Sequence, residues 1–291
     1  SFFTRFLKNS TITPFFPIVF LYNYQYNVIC KKNQPIKSIF IKTDMTTQKM
    51  LSVLRKGVEK YKMIKDGDKI AVGISGGKDS ITLFKLLAEY RRFSPEKFDV
   101  VGISVDLGFD GKRGDFSRIK AIADEYGVPY IVEETDIAEV VFNARKEKSP
   151  CALCSKMRKG ALYDVAVKNG CNKAALGHHA DGLIDTFLLS LLYEGRLSTF
   201  APKSYLDRTG LTLIRPMIMI READIISYSK DLPVTKSCCP ANDVTKRQFV
   251  KDAAREISKT VPNVREMIYT ALTHPERYNL FDKFEKEVDS F

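Results

Sequence analysis

Tryptophan is absent from this chain of 291 residues, acids are outnumbered 46 to 35 by Lys and Arg, and cysteines number only six. The first absence excludes nothing, because a hydrophobic fraction of 44% is ordinary for a soluble globular protein and a chain of this length buries a sizeable core. The shortage of acid leaves a formal charge of +11. Such an excess fits a polyanionic partner, since Lys and Arg that neutralise phosphates release condensed counterions, but charge alone does not separate nucleic acid from an acidic membrane. Six cysteines, two adjacent and two spaced as CxxC, are unlike a small secreted disulfide scaffold and point to a reducing compartment or a metal site. The apolar stretch Phe15 to Tyr22 is much shorter than the roughly 20 residues of a membrane-crossing helix, so no membrane partner is expected. Internal repeats and low-complexity tracts are also missing.

Met45 is the first methionine. Residues 1–44, rich in Phe, Tyr, Ile and Asn with Asp44 as their one acid, read as an N-terminal extension: upstream or poorly ordered sequence, an organellar leader, or a secretory signal. The expected location is cytoplasmic, with organellar import if that extension is a genuine leader.

From Lys69 short β-type runs alternate with amphipathic helical segments, the pattern of a parallel sheet built from βαβ units. The runs are 69–75, 98–106, 129–134, 173–179 and 211–217, which predicts an α/β fold with a five-stranded parallel sheet. Helices are expected at 78–92, 115–126, 155–168, 181–193, 221–230, 244–258 and 263–272. The expected organisation is a core domain over 45–240 and a basic, all-helical C-terminal extension over 241–291.

The first strand runs into Ser75-Gly76-Gly77-Lys78-Asp79-Ser80 and then a helix. Strand, glycine loop and helix start place backbone N–H groups and the positive end of the helix dipole at one point, a site for an anion. Gly76 and Gly77 admit close approach of phosphate oxygens, Ser75 and Ser80 add hydroxyls, and Lys78 adds a counter-charge. The loop is neither a Walker A motif nor the dinucleotide GxGxxG. It resembles instead the phosphate loop of the ATP pyrophosphatases, which implies ATP on residues 75–80 and Asp79 placing Mg²⁺ and pyrophosphate.

Cys151 and Cys154 stand three apart at the predicted start of a helix, followed by Lys156, Arg158 and Lys159. Dipole and cations both favour the thiolate. CxxC serves iron-sulfur clusters, zinc and redox exchange alike; downstream Cys238 and Cys239 supply further thiols, and three thiolates suit a [4Fe-4S] cluster with one open iron better than a closed zinc site. Cys30 and Cys171 have no ligand-spaced neighbour and read as buried bystanders. Basic residues flank the cysteines, from Arg145 to Lys159 and again at Lys246, Arg247 and Lys251, and would line an approach for RNA phosphate.

With "SGGKDS", "CALCSKMRKG", "GHHADGLIDTFLLSLLYEGRL", "RPM" and "KSCCPANDVTKR" in this order, the chain resembles the tRNA 2-thiocytidine synthetase family from about Met45 to Ala271. The resemblance implies a tRNA substrate thiolated at cytidine 32 through an adenylated intermediate, with Lys78, Asp79 and Asp181 in the chemistry. It implies His178 among the nucleotide-binding groups, and Cys151, Cys154 and Cys239 on the cluster. It also implies a sulfur donor such as a cysteine desulfurase system, and assembly as a homodimer is expected. The related uridine-modifying thiolases carry additional zinc-binding pairs near their termini, which this sequence lacks. The family commonly reads "GHHxDD", whereas Gly182 here follows Asp181, with Asp185 one helical turn on as a partial substitute or a plain surface residue. His178 and His179 would contact substrate or phosphate, or else pack and hydrogen-bond locally. A lysidine-type ATP pyrophosphatase would need no thiols, and Gly182 motivates a further reading as a non-catalytic ATP- and RNA-binding iron-sulfur protein.

Overall fold

Small and β-branched residues in alternation bury both faces of a strand. In the computed structural model, which describes residues 46–144, 150–235 and 246–280, strand β1 (Lys69–Gly73) directs Ile70 and Val72 into one core and Ala71 into another. Strands β2 (Asp99–Asp106), β3 (Tyr130–Glu134), β4 (Lys173–Ala175) and β6 (Leu211–Ile214) join it in parallel, Ala71 lying opposite Val101 on one side and Ala174 on the other.

The expectation of five strands is corrected to six. Strand β5 (Lys203–Leu206) pairs antiparallel with β6, and the sheet order is β3-β2-β1-β4-β6-β5. This edge strand is four residues long and half exposed, with Lys and Ser among its residues, so it carries no apolar alternation for the eye to find. The turn at Gly210, with φ of +70°, folds it onto β6.

One face of the sheet is covered by α1 (Thr47–Lys60), α2 (Lys78–Tyr90), α3 (Ser117–Glu125), α5 (Ala180–Glu194) and α6 (Glu222–Tyr228), through Leu54, Phe84, Ile119, Leu183 and Ile225. Helix α1 was not among the expected elements, although Met50, Leu51, Leu54 and Val58 form a buried stripe at helical spacing. The opposite face is covered by α4 (Pro150–Lys168), which seats Leu162, Val165 and Ala166 against Ala71, Val101, Ile103 and Ala174. Cys171 is buried in this second core. Helices α7 (Lys246–Thr260) and α8 (Val264–Thr273) pack against α5.

At the N-terminal edge of the sheet Lys173 and Asp68 form a buried ion pair. The Lys173 ammonium also donates to the Met63 carbonyl at 2.7 Å, and Asp68 accepts from Asn172 Nδ2 at 2.8 Å and the Lys65 amide at 2.6 Å. Burial alone would push the Asp68 carboxyl up; these partners outweigh it and hold it below its ordinary value.

Among the described residues no helix is long and apolar enough to cross a membrane. The expectations for residues 1–44, including Cys30, and those for Arg145, Lys146, Lys148, Cys238 and Cys239, lie outside the described residues.

Candidate active site

The strand order reverses at β1 and β4: the chain leaves β1 toward β2 and leaves β4 toward β6. A crevice opens at such a switch point, beyond the carboxyl ends of the strands. The loops that border it here are 74–77 after β1 and 176–179 after β4.

In the first loop Ser80 Oγ accepts the Ser75 amide at 3.1 Å, lies 3.2 Å from Ser75 Oγ and donates to the Gly77 carbonyl at 2.9 Å, which closes the loop over the first turn of α2. Gly76 has φ of +82°, a conformation that disfavours any side chain. Its carbonyl accepts from both the amide and the hydroxyl of Thr235, at 3.0 and 3.2 Å. No side chain caps α2, so its N-terminal dipole faces the crevice. The second loop comes in close because position 177 is glycine: a Cβ there would stand 2.9 Å from the Asp79 carbonyl oxygen.

Between the loops lies a cavity of about 400 Å³ walled by Ser75, Asp79, Ser80, His178, Ser155, Arg158, Lys159 and Arg247, with Ile103, Val105 and Leu162 as its apolar side. Of the expected nucleotide-binding residues, Ser75, Asp79, Ser80 and His178 are thus brought together. Lys78 turns to the rim, where its ammonium donates to Asp79 Oδ1 at 2.8 Å and Glu222 Oε1 at 3.1 Å. Burial pulls that ammonium down, but the two carboxylates outweigh it and hold it above its ordinary value. Glu222 is in turn contacted by Lys251 at 3.1 Å, so Lys251 is paired with a carboxylate at the rim.

The two histidines differ. His179 caps α5, its Nδ1 accepting the Gly182 amide at 3.2 Å, which leaves the proton on Nε2, 3.9 Å from Asp79 Oδ1. Burial holds it below its ordinary value and therefore neutral. His178 packs on Phe200 with ring centroids 4.8 Å apart, and Arg215 stacks over the same ring at 5.0 Å. Burial, and then the Arg215 charge, push the imidazole down to about 3. Its Nδ1 is buried without a hydrogen-bond partner, as is Arg215 Nε, while Arg215 Nη1 donates to the Ala201 carbonyl.

Asp181 is placed differently from a free metal ligand. It is 5% exposed; Oδ1 accepts from Arg221 Nη2 at 3.1 Å and Arg265 Nε at 2.8 Å, and Oδ2 accepts from Arg221 Nε at 3.1 Å and the Glu222 amide at 2.7 Å. Burial would raise this carboxyl, yet the Glu222 amide and the two guanidinium groups bring it down to about 2. Asp185, fully buried, accepts from Arg265 Nη2 at 2.8 Å. Gly182 leaves room: a Cβ there would meet only the His179 ring, at 3.8 Å.

Helix α4 begins at Pro150, a residue suited to a first helical position. Cys151, Cys154, Arg158 and Leu162 follow at helical spacing on one stripe, of which Arg158 and Leu162 reach the cavity. Cys151 is exposed and Cys154 part-buried. Two thiols one turn apart fit two corners of a cluster. Among the described residues no group of three or more Cys, His, Asp or Glu gathers as a metal site. Thr235 touches the phosphate loop and Arg247 lines the cavity.

Loop, sheet order and cavity define a nucleotide-binding α/β protein of the PP-loop class, and the PP-loop domain family matches residues 45–258. A tRNA-cytidine(32) 2-sulfurtransferase of Pelobacter propionicus is 37% identical over 233 residues, covering 78% of this chain and 86% of that protein. A second, from Geobacter metallireducens, is 34% identical over 242 residues, covering 81% and 93%. The chain therefore belongs to the tRNA 2-thiocytidine synthetase family of PP-loop proteins, as its motifs had suggested. Among solved structures, the U34-tRNA thiolase NcsA from Methanococcus maripaludis with its [4Fe-4S] cluster superposes with a TM-score of 0.64 at 24% identity, covering 80% of this chain and 81% of that one, a likeness of fold.

Proposed function

We propose that the protein is an ATP-dependent tRNA sulfurtransferase that replaces the C2 oxygen of cytidine 32 in the anticodon loop with sulfur. The observation that carries this reading is the shared cavity: one wall is the phosphate loop, and the facing wall is the helix stripe that continues to Cys151 and Cys154.

A pyrimidine C2 carbonyl does not expel oxide, so its oxygen must first become part of a leaving group. In the proposed sequence that oxygen attacks the α-phosphorus of ATP and pyrophosphate departs. Sulfide then adds at C2, and AMP leaves with the oxygen, with no net change in oxidation level. The amides of residues 76–80, with Ser75 and Ser80, bind phosphate oxygens, and Lys78, drawn from its carboxylate partners, offsets charge growing on pyrophosphate. Asp79 would hold Mg²⁺, which would supply positive charge to offset the phosphates. Asp181 acts in this scheme by fixing Glu222 and α6 behind Lys78. Arg158, Lys159 and Arg247 hold RNA phosphate at the mouth, and neutral His178, which lines the cavity, packs beside the base or ribose. Cys151, Cys154 and Cys239 would hold a [4Fe-4S] cluster, which supplies an open iron for the incoming sulfur. A cysteine desulfurase system in the cytoplasm is the proposed donor.

The test is nucleoside mass spectrometry of tRNA after incubation with Mg-ATP, sulfide and anaerobically reconstituted protein. The expected product is 2-thiocytidine; its absence with a fully loaded cluster overturns the reading, and 2-thiouridine in its place reassigns the base.

A further inference from the structure

Two aromatic side chains lie together on the surface beside the cavity. Tyr193, at the end of α5, is 44% exposed and Phe249, in the first turn of α7, is 59% exposed; their rings meet edge to face with centroids 6.4 Å apart. Lys246 Nζ sits over the Tyr193 ring at 4.7 Å. From the same turn of α7 Arg247 Nη2 reaches Thr186 Oγ1 at 3.2 Å and lines the cavity. Thr186 and Tyr193 are seven residues apart, two turns along one stripe of α5, a separation of about 10 Å. The aromatic pair is thus placed next to the mouth through which a substrate base enters. Glu194, the nearby acid, is turned along the helix to Ser190 at 3.1 Å.

We infer that Tyr193 and Phe249 form the platform on which an unpaired base of the RNA stacks while its neighbour enters the cavity, Lys246 and Arg247 holding the intervening phosphates. This rests on the tRNA reading above. An exposed π-face beside cations is the recurrent arrangement for single-stranded nucleic acid, because every base offers a ring to stack and every linkage a negative charge. A second copy of the chain fits the surface less well, since a two-fold contact would bring Lys246 and Arg247 against their own symmetry mates.

The test uses the full chain and a fluorescein-labelled anticodon stem-loop. Tyr193→Leu and Phe249→Leu are each expected to weaken binding about 5- to 100-fold, the contribution of a stacked base. Tyr205→Leu, an aromatic 64% exposed on β5, leaves binding unchanged. Because the chain has no tryptophan, a Phe249→Trp variant carries a unique indole, whose emission single-stranded RNA should quench and duplex RNA should not. Binding within twofold of wild type in both Leu variants, or an unquenched indole, overturns the assignment. Loss of a dimer in the Leu variants, seen by light scattering, also overturns it and gives the surface to a second copy. If the wild type binds and the Leu variants do not, the platform stands even where no thiolated nucleoside forms. If tRNA is thiolated and the variants bind as well as wild type, the platform alone falls.

Discussion

The two ends of the sheet both bury charge, and they use it differently. At the N-terminal edge Lys173 and Asp68 are 8% and 5% exposed at the side chain, and Asp68 is also served by Asn172 and the Lys65 amide. At the carboxyl edge Lys78, Asp79 and Glu222 are about a quarter to a third exposed, and polar atoms such as His178 Nδ1 are buried with no partner among the described residues. The first arrangement closes its charges off from solvent; the second leaves charged groups partly open, as the proposed ligand-binding role requires. Between them Asp181 belongs to the carboxyl edge by position and to the satisfied kind by its contacts.

That mixed character gives the largest expected effect. Asp181→Asn leaves Arg221 and Arg265 facing an uncharged group and should cost about 3–5 kcal/mol of stability, read from urea unfolding. The pH dependence follows in sign. The folded carboxyl is lowered to about 2 from 3.8, so its contribution is complete above about pH 4 and is lost as pH falls toward 2, and the variant should lack that part of the acid limb. Lys173→Ala should cost about 3 kcal/mol as well, with turnover per folded molecule unchanged; a fall in turnover would break the division between the two edges. Lys78→Ala should do the opposite, lowering tRNA-dependent pyrophosphate release by about 10²-fold or more while stability changes by less than about 1 kcal/mol. The smallest effect is Gly182→Asp. The site has room for the side chain, and an acid in the first turn of α5 should add about 0.5 kcal/mol and raise the His179 titration followed by NMR, toward the second acid that the family pattern carries.

The parallel strands and the phosphate loop were legible because their signals are local: alternation of period two, and a loop whose residues are contiguous. Helix α1 carries its own legible stripe of Met50, Leu51, Leu54 and Val58 at helical spacing. Strand β5 had no such stripe, being a half-exposed edge whose partner decides its conformation. The partners of Asp181 were illegible for another reason. Arg221 and Arg265 lie 40 and 84 residues further along the chain, and only the packing of α6 and α8 around α5 brings them to one carboxylate. The same holds for Thr235, whose contact with Gly76 spans 159 residues and leaves no trace in the spacing of either segment. A motif shows which residue types chemistry requires; long-range packing sets whether each faces a ligand or another side chain.

Helix α4 is about 28 Å long, and its two halves have separate employments. The stretch from Leu162 to Ala166 closes a core, whereas the preceding turns bear Cys151, exposed, and Cys154, part-buried, outside that core. Oxidative loss of the proposed cluster should therefore leave the hydrophobic seal intact. Unlike a zinc finger, which melts with its ion, this scaffold should survive stripping with its circular dichroism unchanged and stay fit for repair.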